Sequence, residues 1–125
     1  MLDRVALRDL LGGDEDMVQP MLEQYIETTQ PLIEALLAAL HAKDYPTVRK
    51  KAHFCSGASK TAGAWRLANF CSTIEKAVMA DDPETAQTAG GQVADAFTAV
   101  VKAVEAGPAG LEPPVQGIIA KGQGA

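Results

Sequence analysis

The stretch Asp44-Tyr45-Pro46-Thr47-Val48-Arg49-Lys50-Lys51-Ala52-His53-Phe54-Cys55-Ser56-Gly57-Ala58-Ser59-Lys60-Thr61-Ala62-Gly63 carries its own start and stop signals. Asp44 is a good N-cap, because its carboxylate accepts a backbone N–H that the first turn of a helix leaves unpaired. Pro46 falls in that turn, where a missing N–H costs little. Val48, Ala52, Cys55, Ser59 and Ala62 recur at three- and four-residue intervals, the spacing of one helical face, and Gly63 is the residue type that ends such a helix.

The same signals repeat to either side. Upstream, a short segment from Asp3 to Leu11 puts Leu7, Leu10 and Leu11 on one side and stops at Gly12-Gly13. Asp14 then caps a second helix, with acidic residues in the first turn where the helix dipole favours them. Its stripe is Val18, Leu22, Tyr25, Thr29, Ile33, Leu36 and Leu40, and Pro31 within it predicts a kink or a break. Downstream, a fourth helix carries Leu67, Phe70, Cys71, Ile74 and Val78. Asp82-Pro83-Glu84 opens a fifth, with Val93, Phe97, Val100 and Val104 on its buried face. Gly90-Gly91 weakens that helix or marks a close helix contact. Twenty-two alanines and eleven leucines favour helix throughout, and no strand alternation interrupts it. The expected fold is all-α: an antiparallel four-helix bundle, residues 1–106, with a short N-terminal covering helix. Residues 107–125 hold five of the eleven glycines and three of the seven prolines, and are expected to form a flexible C-terminal tail.

Charge excludes several classes of function. The 125-residue chain has a net charge of -5, and aromatic residues make up only 5% of it. An acidic, aromatic-poor chain is a poor binder of nucleic acid or of an anionic membrane. The most apolar window, Leu32 to Leu40, is far shorter than a membrane span. Met1-Leu2-Asp3-Arg4 does not begin a secretory signal, so a soluble cytoplasmic protein is expected. Cys55 and Cys71 belong to no C-x-x-C unit and are expected to be reduced core thiols. Yet the charge is uneven. Between Asp44 and Glu75 there is no acidic residue, while Arg49, Lys50, Lys51, Lys60 and Arg66 contribute five positive charges; the rest of the chain has 6 basic against 16 acidic residues.

His53 lies inside this basic island. At ~100° per residue, Gly57 falls about 40° from His53 on the helix wheel and Lys60 about 20°. Helical side chains lean toward the N-terminus, so residues after His53 arch over it. Gly57 therefore leaves space beside the imidazole, although a glycine inside a helix costs ~1 kcal/mol relative to alanine. Room for a phosphoryl group or an approaching partner would justify that cost, and so would close helix packing. A positive surface around a histidine suits a site that acquires a dianionic group, while a solvated basic face is the plainer alternative. His41 has no such neighbours and is expected at the surface, near the helix C-terminus. A zinc cluster of His41, His53, Cys55 and Cys71 has no ligand-like spacing. No glycine loop suited to ATP phosphates and no serine with a paired base is present.

From Ala52 onward the chain resembles the histidine-containing phosphotransfer (HPt) domain family, whose pattern runs A-H-x-L-K-G-x-S-x-x-x-G-A-x-x-L-x-x-x-C-x-x-x-E. Ala52, His53, Gly57, Ser59, Gly63, Ala64, Leu67, Cys71 and Glu75 fall in register without a gap. The resemblance implies that His53 accepts a phosphoryl group on Nε2, and that Glu75 accepts the Nδ1 proton and so orients the ring. The family's lysine three residues after the histidine is Ser56 here. Lys60 is the favoured replacement, with Ser56, Gly57, Arg49 and Lys50 as the other expected phosphate contacts. The resemblance further implies a monomeric phosphocarrier that is not an enzyme, binds no ATP and holds no cofactor. Its partners would be response-regulator receiver domains, which bring their own magnesium and acidic pocket, and a hybrid histidine kinase. Docking would use the surface around His53 with apolar contacts from the first helix and the starts of the second and fourth. Trp65 is either part of that face or packs against a helix cap. The rival expectation is a helical adaptor that binds receivers or kinases without carrying phosphate; a phosphohistidine phosphatase or metal hydrolase would need a second catalytic group.

Overall fold

The computed structural model describes residues 2–111, and every regular element among them is helical. The order is α1 (Arg4–Leu10), a 3-10 turn (Glu15–Met17), α2 (Val18–Ala42), α3 (Tyr45–Ala62), α4 (Trp65–Met79) and α5 (Pro83–Leu111). Within α5 the helical dihedrals fail at Gly107 (φ 74°, ψ -169°), one residue beyond the expected end of the core. Most of the tail expected over 107–125 lies outside the described residues.

Helix ends fall where the capping residues put them. The Asp44 carboxylate accepts from the Thr47 hydroxyl at 2.7 Å and from the Thr47 N–H at 3.5 Å. Asp82 does the same with Thr85, at 2.7 and 3.2 Å, which holds its carboxyl below the usual carboxylate range. Gly63 closes α3 at φ 81°. Two boundaries differ from expectation. Asp14 accepts from the Asp16 N–H at 3.1 Å and so caps the 3-10 turn, leaving α2 to begin at Val18. Pro31 does not break α2, which runs from Val18 to Ala42 with the proline inside. Both Pro31 and Glu27, whose carbonyl loses its helical partner, are exposed, so the unpaired carbonyl lies on the solvent side of the helix rather than in the core.

The long helices bury the stripes their spacing defines. Val48, Ala52, Cys55, Ser59 and Ala62 are all buried, as are Leu67, Cys71 and Ile74 of α4 and Val93, Phe97, Val100 and Val104 of α5. α2 packs on α3 and α5, and α4 packs on the same two. A Cβ at Gly90 would stand 2.5 Å from Leu40 Cδ1, whereas one at Gly91 meets nothing within 4 Å. Gly90 therefore marks the close approach of α5 to α2, and Gly91 only weakens its helix. α1 lies over α2 and α3 with Leu7 buried, but Leu10 is 62% exposed and does not join the core.

Asp3 fastens the chain start to the α3–α4 turn. Its N–H donates to Gly63 O at 2.7 Å, and its carboxylate accepts from Ala6 N–H at 2.9 Å and from Trp65 Nε1 at 3.2 Å. Trp65 thus bonds to the residue that caps α1, as one of its two expected roles has it, while remaining 42% exposed. Inside, Tyr25 and Ser59 share a hydrogen bond of 2.6 Å. Burial pushes the Tyr25 hydroxyl well above the usual phenol range, with the Ser59 bond offsetting part of the rise. Cys55 and Cys71 are free buried thiols, and the neighbouring Cys55 thiol, together with burial, pushes the Cys71 thiol up.

Candidate functional site

α3 faces the core with its alanine, cysteine and serine stripe, which turns His53 to the opposite, solvent side. The imidazole is 76% exposed. Its Nδ1 lies 2.9 Å from Glu75 Oε2 on α4, and Glu75 is only 20% exposed. An ionised carboxylate can only accept a hydrogen bond, so Nδ1 is the donor and carries the proton. The Nε2 lone pair is then free, on a ring that is mostly open to solvent. Register explains the pairing. Leu67, Cys71 and Ile74 anchor the inner face of α4, and Glu75, next after Ile74, falls at the edge where α4 meets α3.

A hollow of about 420 Å³ opens beside the ring, lined by Pro46, Arg49, Lys50, His53 and Glu75. Arg49 and Lys50 are exposed and sit one turn before His53, the direction in which helical side chains lean. Lys60, the favoured replacement for the family lysine, is exposed but is not part of this lining. Ser56 is 5% exposed. It lies on the buried side of α3, so its hydroxyl is withdrawn from the surface His53 occupies and the expected phosphate contact is not available. Gly57 is exposed, and a Cβ built there meets nothing within 4 Å. Helix packing therefore does not explain this glycine; the space beside the histidine is open. Among the described residues, none of Arg49, Lys50, Lys51, Lys60 and Arg66 forms an ion pair with a carboxylate. Arg66 instead stacks over the Phe70 ring at 5.5 Å.

Pro46 and Phe54 were not singled out as site residues by the spacing argument. Pro46 is read locally as a helix starter, and its place in the hollow follows from lying seven residues, two turns, before His53. Phe54 is 70% exposed; its neighbour His53 is the only sequence signal for it. His41 is exposed in the last turn of α2, away from His53, in a shallow recess with Gln87 and Gly91. No group of three or more His, Cys, Asp or Glu side chains is placed to hold a metal ion among the described residues. No described helix is long and apolar enough to cross a membrane.

The described helices thus present a histidine paired with a carboxylate on an open, basic surface. The Hpt domain family matches residues 20–107, and the chain belongs to that family, the histidine phosphotransfer proteins of phosphorelays. It is similar to the crystal structure of histidine-containing phosphotransfer protein B (HptB) from Pseudomonas aeruginosa PAO1, with a TM-score of 0.76 and 27% sequence identity over 84% of this chain and 91% of that one. No curated protein matches the sequence.

Proposed function

We propose that this chain relays a phosphoryl group between aspartates of receiver domains, including the receiver of a hybrid histidine kinase, through phospho-His53. The observation that carries this reading is the 2.9 Å bond from Nδ1 to Glu75 on an imidazole that is otherwise open to solvent. The Nε2 lone pair attacks the phosphorus of an aspartyl phosphate, the P–O bond to the aspartate breaks, and the carboxylate leaves. The proton stays on Nδ1, so the ring gains a positive charge that the Glu75 carboxylate stabilises. In the reverse direction the same pair steadies the ring as it departs. Magnesium and the acidic pocket belong to the partner receiver. The chain itself acts as a phosphocarrier in the cytoplasm, as a monomer on an antiparallel four-helix bundle.

Arg49 and Lys50 are the best-placed neutralising groups for the transferred phosphoryl, since they share the hollow with His53 and Glu75. They take the role that the family pattern gives to a lysine one turn after the histidine, at the position of Ser56. A guanidinium can grip two phosphoryl oxygens at once, so Arg49 is expected to contribute more than Lys50.

Phosphotransfer from receivers charged with acetyl phosphate tests this directly. His53→Gln abolishes labelling. Glu75→Ala slows transfer on the order of tenfold to a hundredfold, by analogy with the loss of a carboxylate that orients a metal-bound imidazole. Arg49→Ala slows it measurably, whereas Lys60→Ala does not. A Glu75→Ala variant that transfers at the wild-type rate removes the orienting role, and a wild-type chain that no receiver labels favours a phosphate-free adaptor.

A further inference from the structure

Phe54 is more exposed than any other large apolar side chain among the described residues, at 70%. Single exposed apolar residues are common, so exposure alone says little. This ring, however, borders a recess of about 300 Å³ on the α2–α3 seam, lined by Thr28, Leu32, Lys50, Lys51 and Phe54. Lys50 also lines the hollow that holds His53 and Glu75. The two depressions therefore flank α3 and meet at one side chain. A partner that brings an aspartate to His53 Nε2 covers Lys50, and with it the rim of the recess.

Charge narrows the partner. α3 carries no acidic residue, and neither Lys50 nor Lys51 has a carboxylate partner among the described residues. A surface with an apolar ring between uncommitted lysines is complementary to an acidic face that has an apolar recess. It is poorly matched to a basic or wholly polar one.

We propose that Phe54 is a specificity-determining contact for receiver domains: its ring fills an apolar recess beside the partner's acidic pocket while Lys50 and Lys51 meet the acidic rim. This rests on the phosphorelay reading of His53. It separates two tasks on adjacent residues, because His53 carries the chemistry and Phe54 selects which receiver reaches it. Anchors of this kind are aromatic, central and flanked by charged contacts that steer encounter.

The test compares wild type, Phe54→Ala and Phe54→Leu with two phosphoryl donors: a panel of response-regulator receiver domains charged with acetyl phosphate, and the small donor phosphoramidate. Phe54→Ala is expected to raise the half-saturating receiver concentration about tenfold, leaving the maximal rate and phosphoramidate labelling of His53 unchanged. Phe54→Leu restores most of the loss, because an apolar side chain still fills the recess. Wild-type half-saturation in Phe54→Ala overturns the proposal, as does an equal loss with phosphoramidate, which would place Phe54 in the environment of the imidazole. A wild-type chain that phosphoramidate labels but no receiver does would overturn the relay reading and this proposal together. That pattern is distinct from efficient receiver transfer indifferent to residue 54.

Discussion

At the scale of single residues, Gly57 poses the sharpest question. Its helical cost relative to alanine is ~1 kcal/mol, and no neighbouring atom would obstruct a Cβ. The glycine is therefore a sacrifice of stability with no packing return. Gly57→Ala should raise the free energy of unfolding in urea by about 1 kcal/mol while lowering the rate of receiver-dependent phosphotransfer. Equal or faster transfer in the more stable variant would show that the space is not needed. Two rival explanations of this residue were open from spacing alone, because spacing locates neighbours on the same helix but not those on another. Ser56 illustrates the same limit. Its alignment with a family lysine suggested a surface role, while its burial follows from how α3 packs in the core.

Elements are held by their ends, and the α3–α4 turn is the most constrained of them. Gly63 has φ 81°, and a Cβ there would stand 2.5 Å from the Asp3 carbonyl oxygen, which is backbone and cannot swing aside. Gly63→Ala should destabilise the fold by roughly 1–3 kcal/mol, the cost of a strained backbone position, and should loosen α1 as well. Gly91→Ala, exposed in α5 with open space around it, should stabilise by about 1 kcal/mol. Urea titrations of the two variants read both signs in one experiment. Helix positions and inner faces were largely legible in the sequence, since capping residues and three-four spacing are local. The face of α3 predicted from Val48, Ala52, Cys55, Ser59 and Ala62 is buried throughout. Leu10 failed because α1 is short and its last turn runs past the core. The site was half legible. His53 stood out from the basic island and from Gly57; Glu75 and both roles came from the resemblance, and the structure supplies the bond between the two side chains. That Arg49 and Lys50, rather than Lys60, share their hollow depends on how α3 and α4 meet at His53, which no single stretch encodes.

For the whole molecule, the buried Tyr25–Ser59 pair links the stability of the core to alkaline pH. The folded state keeps Tyr25 protonated well above its ordinary range, while the unfolded chain releases that proton near about pH 10. The unfolded state then binds fewer protons than the folded one, so stability is intact below about pH 10 and falls as pH rises beyond it. Urea midpoints measured across this range should drop more steeply for wild type than for Tyr25→Phe, and parallel curves would remove Tyr25 as the cause. The proposed chemistry stands on the solvent side of α3, away from this sealed interior. An imidazole that is three-quarters exposed, beside an open hollow, would leave a phosphoryl group accessible to solvent. On the proposed relay, a phosphoramidate formed there would meet bulk water as soon as the delivering receiver leaves, and its lifetime would be set by the bond's own hydrolysis. Such a message has a clock built in: how far it travels in the cell depends on the abundance of the next acceptor, because the carrier gives it no place to wait.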